Sequence, residues 1–151
     1  EEGDRWRELQ KETTIAAPVE QVWAVWTEPD AMRFLSGTSN IELRISGPYE
    51  WFLDLPPDES GRRGGEESKV LAFLPYRVLA FDWTFPPSVP LLRGSQAKTQ
   101  VIVCFDELET GTRIRFSQIG WEEWAGWDEG YAYFDEAWDY VLEAMKQHLE
   151  G

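Results

Sequence analysis

The sequence predicts an α+β domain in which a curved antiparallel sheet wraps a long C-terminal helix. Three observations carry this reading. From about Gly130 to Leu149, the residues Tyr131, Phe134, Trp138, Val141, Leu142, Met145 and Leu149 recur at steps of three and four, the stripe of an amphipathic helix about 30 Å long. Upstream of it, short segments of strand character, most of them alternating apolar and polar residues, are separated by Gly and Pro turns. A helix with so long an apolar stripe needs a sheet to cover it, and a sheet that curls around it leaves a space between the two.

The elements follow in order. Residues 5–15 carry β-compatible residues ending in Thr13-Thr14-Ile15, and Pro18 stands where the first turn of a helix tolerates it. Val22, Trp23, Val25 and Trp26 have helical spacing that stops at Pro29, and Asp30 can cap a second short helix holding Met32, Phe34 and Leu35. After Ser39 the period changes to two: Ile41, Leu43 and Ile45 alternate with Glu42, Arg44 and Ser46. Gly47-Pro48 makes a turn, and Tyr49, Trp51 and Leu53 share one face of the next strand. Residues 55–66 are rich in Pro, Gly and acids and form an exposed hairpin loop, with Arg62 and Arg63 solvated in it.

Residues 69–74 and 77–85 form a hairpin around Pro75-Tyr76, with Leu79, Phe81, Trp83 and Phe85 on one face of its second arm. Pro86, Pro87 and Pro90 forbid a ladder through residues 86–95. Residues 99–107 and 112–119 form the last hairpin across Glu109-Thr110-Gly111. The expectation is seven strands in one curved sheet, two short helices after the first strand, and a single domain over residues 1–151.

Composition narrows function. With 14 Lys+Arg against 28 Asp+Glu the formal net charge is −14, which repels phosphate backbones and anionic lipid. Nucleic acid and membrane surfaces are therefore not expected partners. No stretch reaches the roughly 18 apolar residues of a membrane span. The single Cys104, in the run Val101-Ile102-Val103-Cys104-Phe105, excludes an internal disulfide and reads as a buried strand residue. A soluble, cytoplasmic protein is expected. Nine tryptophans stand among 22 aromatic residues, more than packing a core of this size requires, and this excess is the first pointer to a ligand.

Four stretches carry a family resemblance: Ala17-Pro18-Val19-Glu20-Gln21-Val22-Trp23, Val78-Leu79-Ala80-Phe81-Asp82-Trp83, Gly111-Thr112-Arg113-Ile114, and Ala137-Trp138-Asp139-Tyr140-Val141-Leu142 with Met145 and Leu149. Across nearly the whole chain these resemble the SRPBCC (START-like) superfamily, and within it the homologues of the heat-shock-protein-90 ATPase activator, C-terminal domain type. The resemblance implies the helix-grip fold. It implies function only broadly, because members include co-chaperone domains, polyketide cyclases and aromatases, and lipid carriers. Members often carry a histidine near the end of the last strand, where this chain has Gln118 before Ile119-Gly120-Trp121; histidine chemistry there is not expected.

The usual catalytic sets are not assembled. His148 falls in the last helical turn, and one histidine with one cysteine cannot build an ordinary zinc site. Neither a glycine-rich phosphate loop nor a Ser-His-Asp set can be proposed, so no cofactor, metal or catalytic residue is expected. Asp82 points outward by strand parity, and Glu122, Glu123, Asp128 and Glu129 read as solvated charges. The aromatic residues carry the stronger case. Trp51, Phe81, Trp83, Phe85, Phe116, Phe134 and Trp138 converge between sheet and helix, as a ligand site or as a filled core. Trp121, Trp124 and Trp127 line an entrance or form a lid. Gln118 and Tyr131 are the candidate polar handles. The expected function is binding of an apolar or aromatic small molecule in that space rather than catalysis. The alternatives are a polyketide cyclase or aromatase-like enzyme and a co-chaperone-like domain with a protein partner.

Overall fold

The computed structural model describes residues 7–35, 38–52, 67–85, 98–122 and 126–151. Its strands are β1 (Leu9–Ile15), β2 (Thr38–Ile41), β3 (Tyr49–Phe52), β4 (Val70–Leu74), β5 (Val78–Thr84), β6 (Lys98–Leu108) and β7 (Gly111–Ile119). Its helices are α1 (Val19–Thr27) and α2 (Trp127–Glu150). The larger sheet has the order β1-β7-β6-β5-β4, antiparallel throughout, and β2-β3 form a separate antiparallel pair.

The period-two pattern sorts residues to faces as expected. Leu79, Phe81 and Trp83 of β5, Thr99, Val101, Val103 and Phe105 of β6, and Thr112, Ile114, Phe116 and Gln118 of β7 are all buried. The register aligns them in rows: Phe81 opposes Val101, which opposes Gln118, and Val103 opposes Phe116. The 24 residues of α2 give a rod of about 36 Å, and it buries Trp127, Gly130, Phe134, Trp138, Leu142 and Met145. It starts before Gly130 because Trp127 is itself a core side chain, 1 % exposed. Gly126 precedes it with φ 94°, a left-handed conformation that favours glycine. Charges hold α2 along β1: Lys11 pairs with both Asp135 and Asp139, and Lys146 donates to the Thr14 carbonyl.

Four expectations are corrected. The seven strands do not form one sheet. Tyr49 N–H donates to the Ser68 carbonyl, Val70 N–H to Gly47 and Ser46 N–H to Val70, each at 2.8 Å, so β3 approaches β4 along its start. The ladder stops there because Pro48 has no N–H to give, Ser46 and Glu67 take left-handed backbone (φ 65° and 70°), and β4 bulges between Val70 and Ala72. Asp82 serves that bulge from the outer face: its carboxylate accepts from Lys69 N–H at 2.7 Å and its own N–H donates to the Lys69 carbonyl. Strand β2 also ends earlier than its alternation predicts. Glu42 N–H turns to the Pro48 carbonyl, and Ile45 is left exposed.

The second short helix is absent, and residues 29–35 form a series of turns. Helix α1 ends at Thr27, and Glu28, the residue before Pro29, is extended (φ −115°, ψ 121°), as the steric rule for that position requires. The bonds that follow run mainly three residues back, Ala31 to Glu28, Arg33 to Asp30 and Leu35 to Met32. So short a segment cannot offset the cost of nucleating a helix. Met32 is still buried. Cys104 lies in β6 as expected but on the outer face, half-buried as a free thiol.

The outer face also carries an ion-pair cluster. Asp106 accepts from Arg115 Nε at 2.7 Å and Nη2 at 3.1 Å, and from Arg113 Nε at 3.1 Å. These guanidinium groups, Arg115 foremost, hold the Asp106 carboxyl at about 2 against an ordinary 3.8. The carboxylate is about a quarter exposed, so solvent screening reduces the stabilisation to about 1 kcal/mol. Because folding lowers this pKa, the stabilisation is complete above the unfolded value and is lost as pH falls through about 2. Asp106→Asn is therefore expected to lower the urea-unfolding free energy by about 1 kcal/mol at pH 7. The deficit should shrink as the pH is lowered from 5 towards 2; a pH-independent deficit would contradict the ion-pair assignment.

Candidate functional site

Side chains from five elements meet between α2 and the concave face. Trp138 is at their centre because it lies on the α2 stripe four residues from both Phe134 and Leu142. Its ring centroid is 4.7 Å from that of Phe116, 5.7 Å from Trp83, 6.0 Å from Trp51 and 6.4 Å from Trp26. Trp51 meets Trp83 edge-on at 5.3 Å. Beyond them Tyr49 stacks on Phe81 at 4.2 Å. Phe134 stacks parallel to Trp138 at 6.2 Å and joins this group to a second one, in which Phe85 contacts Trp127 at 5.2 Å and Trp121 at 6.2 Å. These separations are those of offset and edge-to-face ring contacts.

Gln118 supplies the polar centre. It is fully buried on the inward face of β7. Its amide nitrogen donates to Thr99 Oγ1 at 2.7 Å, and its side-chain oxygen accepts from Trp138 Nε1 at 2.9 Å. Its backbone carbonyl accepts from Trp121 Nε1 at 2.9 Å, which folds Trp121 inward to 4 % exposure. Trp51, Phe81, Trp83, Phe85, Phe116, Gln118, Trp121, Phe134 and Trp138 are thus all buried. Tyr131 stands at the margin. Its ring contacts Trp121 at 5.0 Å and lies under the Arg7 guanidinium at 4.9 Å, and its hydroxyl reaches the Glu8 carbonyl at 3.4 Å. Trp124 and Glu123 lie outside the described residues.

Three members of the cluster were not singled out from sequence. Trp26 belongs to the α1 stripe, Tyr49 shares a strand face with Trp51, and Thr99 opposes Trp83 across the β5–β6 ladder. Helical phase and strand parity contain the first two; the pairing of Thr99 with Gln118 needs the register. The Tyr49 hydroxyl donates to the Trp26 carbonyl. Burial holds this phenol well above its ordinary range, with the nearby Trp51 indole opposing part of the rise.

The electrostatics inside are neutral. Among the described residues the buried polar side chains outside the aromatics are Thr27, Ser68, Thr84, Thr99, Thr112 and Gln118, and none carries a charge. The carboxylates of Glu122, Asp128 and Glu129 are exposed, and Asp128 pairs with Arg7 at 2.8 Å. His148 is exposed near the end of α2, its ring stacked on Phe34 at 4.0 Å. Among the described residues no group of three or more His, Cys, Asp or Glu is placed to hold a metal ion, and no helix is long and apolar enough to cross a membrane. A separate open groove of about 350 Å³, between residues 16–19 and 107–111, contains none of the candidate ligand-binding residues. What the cluster offers chemically is apolar surface, ring faces and a few neutral hydrogen-bonding groups.

Comparison with known proteins places this architecture. A search of curated protein sequences returned no match. A crystal structure of protein MLL2253 from Mesorhizobium loti superposes with a TM-score of 0.71 at 20 % identity, covering 93 % of this chain and 95 % of the other. The solution structure of the Aha1 dimer from Colwellia psychrerythraea gives 0.71 at 18 %, covering 95 % and 96 %. DynU16, from the dynemicin biosynthetic locus, gives 0.69 at 17 %, covering 95 % of this chain and 47 % of that one. At such identities the likeness carries the fold alone. The family model for Activator of Hsp90 ATPase homolog 1-like protein matches residues 16–150, from the turn after β1 to the last residue of α2, and the chain therefore belongs to that family, as the sequence resemblance implied.

Proposed function

We propose that the chain binds an apolar or aromatic small molecule between α2 and the concave face of the sheet. The observation that most supports this is the convergence of Trp26, Trp51, Trp83, Phe116 and Trp138, from five different elements, on one region. Aliphatic side chains would fill a core equally well. A wall of rings adds stacking faces and edges for a planar ligand, with a small number of neutral polar groups to orient it. Binding rather than turnover fits the neutral polar set. A reducing, cytoplasmic environment is part of the proposal and agrees with Cys104 as a free thiol.

A second reading, a protein partner, draws on the exposed Leu71, Leu74 and Tyr76 on and beside β4, the last strand of the larger sheet, since exposed apolar groups on an edge strand favour strand addition. Titration of tryptophan emission with fatty acids, sterols, flavonoids and polyketide-like aromatics separates the two. The small-molecule reading expects a saturable change at one ligand per chain, with unfolding shifted upward by about 2.7 kcal/mol at a hundredfold excess over Kd. No saturable response across the panel would refute it and favour the edge strand.

A further inference from the structure

The buried indoles are not equally satisfied. Trp138 and Trp121 both donate to Gln118. Trp26 Nε1 and Trp51 Nε1 are closed off from solvent and have no hydrogen-bond partner among the described residues, and the same holds for the hydroxyls of Ser39 and Ser68. These four residues are neighbours. The Trp26 and Trp51 rings are 5.9 Å apart, Ser39 is the cross-strand partner of Trp51, and the Ser68 carbonyl accepts from Tyr49, two residues before Trp51. The Trp51 indole lies near enough to the Tyr49 hydroxyl to oppose part of that phenol's rise, yet no hydrogen bond joins them. Buried donors without acceptors are rare in folded proteins and destabilise the state that contains them. Here they cluster at one end of an aromatic site.

We infer that this end of the site is built for a ligand's neutral acceptor oxygen, a ring-borne carbonyl of an aromatic ketone, which takes hydrogen bonds from the Trp26 and Trp51 indoles. The inference rests on the small-molecule reading above and adds the ligand's chemistry and orientation. Both indoles are donors only, so the missing partner must accept. A carboxylate is disfavoured because no cation is buried among the described residues and the chain carries a formal net charge of −14; an unpaired anion would be desolvated without compensation. A carbonyl in the ring plane lets the ring stack while its oxygen reaches the indole N–H groups. The rings must part to admit it. The β2–β3 pair, which carries Trp51 and Ser39 and is joined to the larger sheet by backbone bonds from residues 46–49 and by ring contacts rather than by a continuous ladder, is the element that would shift.

The test uses the whole protein with ¹⁵N-labelled tryptophan and two probes of matched shape, 9-fluorenone and fluorene, which differ in the carbonyl. Loss of a signal in Trp26→Phe and in Trp51→Phe identifies the two indole resonances. The expected result is that fluorenone binds about tenfold tighter than fluorene and moves both resonances downfield, while fluorene does not. In either variant, which keeps an aromatic ring, the ratio of fluorenone to fluorene affinity should narrow, whatever the change in the two affinities themselves. Should a variant fail to fold, the wild-type comparison of the two probes still decides. Equal affinities without a downfield shift would overturn the carbonyl assignment and leave the apolar site standing; binding of neither probe would overturn both.

Discussion

Trp138→Ala is expected to remove about 3–5 kcal/mol of folding stability. The ring is 2 % exposed and lies against Phe116, Trp83, Trp51, Trp26 and Phe134, so its loss leaves a cavity bounded by both the helix and the sheet. It also leaves Gln118 Oε1 without its donor. For a chain with the usual 5–15 kcal/mol of stability, this takes a large share, and the unfolding temperature should fall by roughly 10 °C. Trp138→Phe retains much of the contact area and should cost distinctly less. Chemical denaturation of both variants reads the difference, and a cost below about 1 kcal/mol for the alanine variant would show that α2 does not depend on this ring.

Gln118→Leu is the second large effect, of about 2–4 kcal/mol, despite replacing a side chain by an apolar one of similar size in an apolar region. The cost comes from the partners left behind. Trp138 Nε1 loses its acceptor and Thr99 Oγ1 its donor, both in fully enclosed positions. Removing both ends of a buried hydrogen bond is far less damaging than removing one, so Thr99→Val in the Gln118→Leu background should cost less than the sum of the two single changes. A double-mutant cycle from denaturant unfolding measures that coupling. Strict additivity would mean that Gln118 acts through shape alone.

Much of the fold was legible because local period and tertiary burial agree. The α2 stripe, the β4–β5 and β6–β7 hairpins and the inward row Leu79, Phe81, Trp83, Phe85 occur where the alternation of the sequence puts them. The expectation failed where backbone geometry decides. Ile41, Leu43 and Ile45 keep period two, yet the Glu42 to Pro48 bond closes a loop that ends β2 at Ile41. Nothing in Ser46 or Glu67 announces the left-handed backbone that helps divide the sheet. Asp30, Met32 and Leu35 have helical spacing but too few residues to hold a helix after Pro29.

The composition of the site was legible in its aromatics, and less so in its polar groups. Parity puts Gln118 inward beside Phe116; only the register brings Thr99 and Trp138 to its two ends. The same holds for the contrast between satisfied and unsatisfied indoles. Trp121, Trp138, Trp26 and Trp51 are indistinguishable as letters, and their different hydrogen-bonding states emerge from the packing of α1 and β3 against α2.

The most direct measurement is native mass spectrometry of the protein incubated with the same ligand panel, beside its denatured mass. A small-molecule site between α2 and the sheet requires one ligand per folded chain, saturating with concentration, released on denaturation and lost in Trp138→Ala where that variant remains folded. Folded chains that carry no ligand at any concentration, or that take up several without saturation, would contradict it.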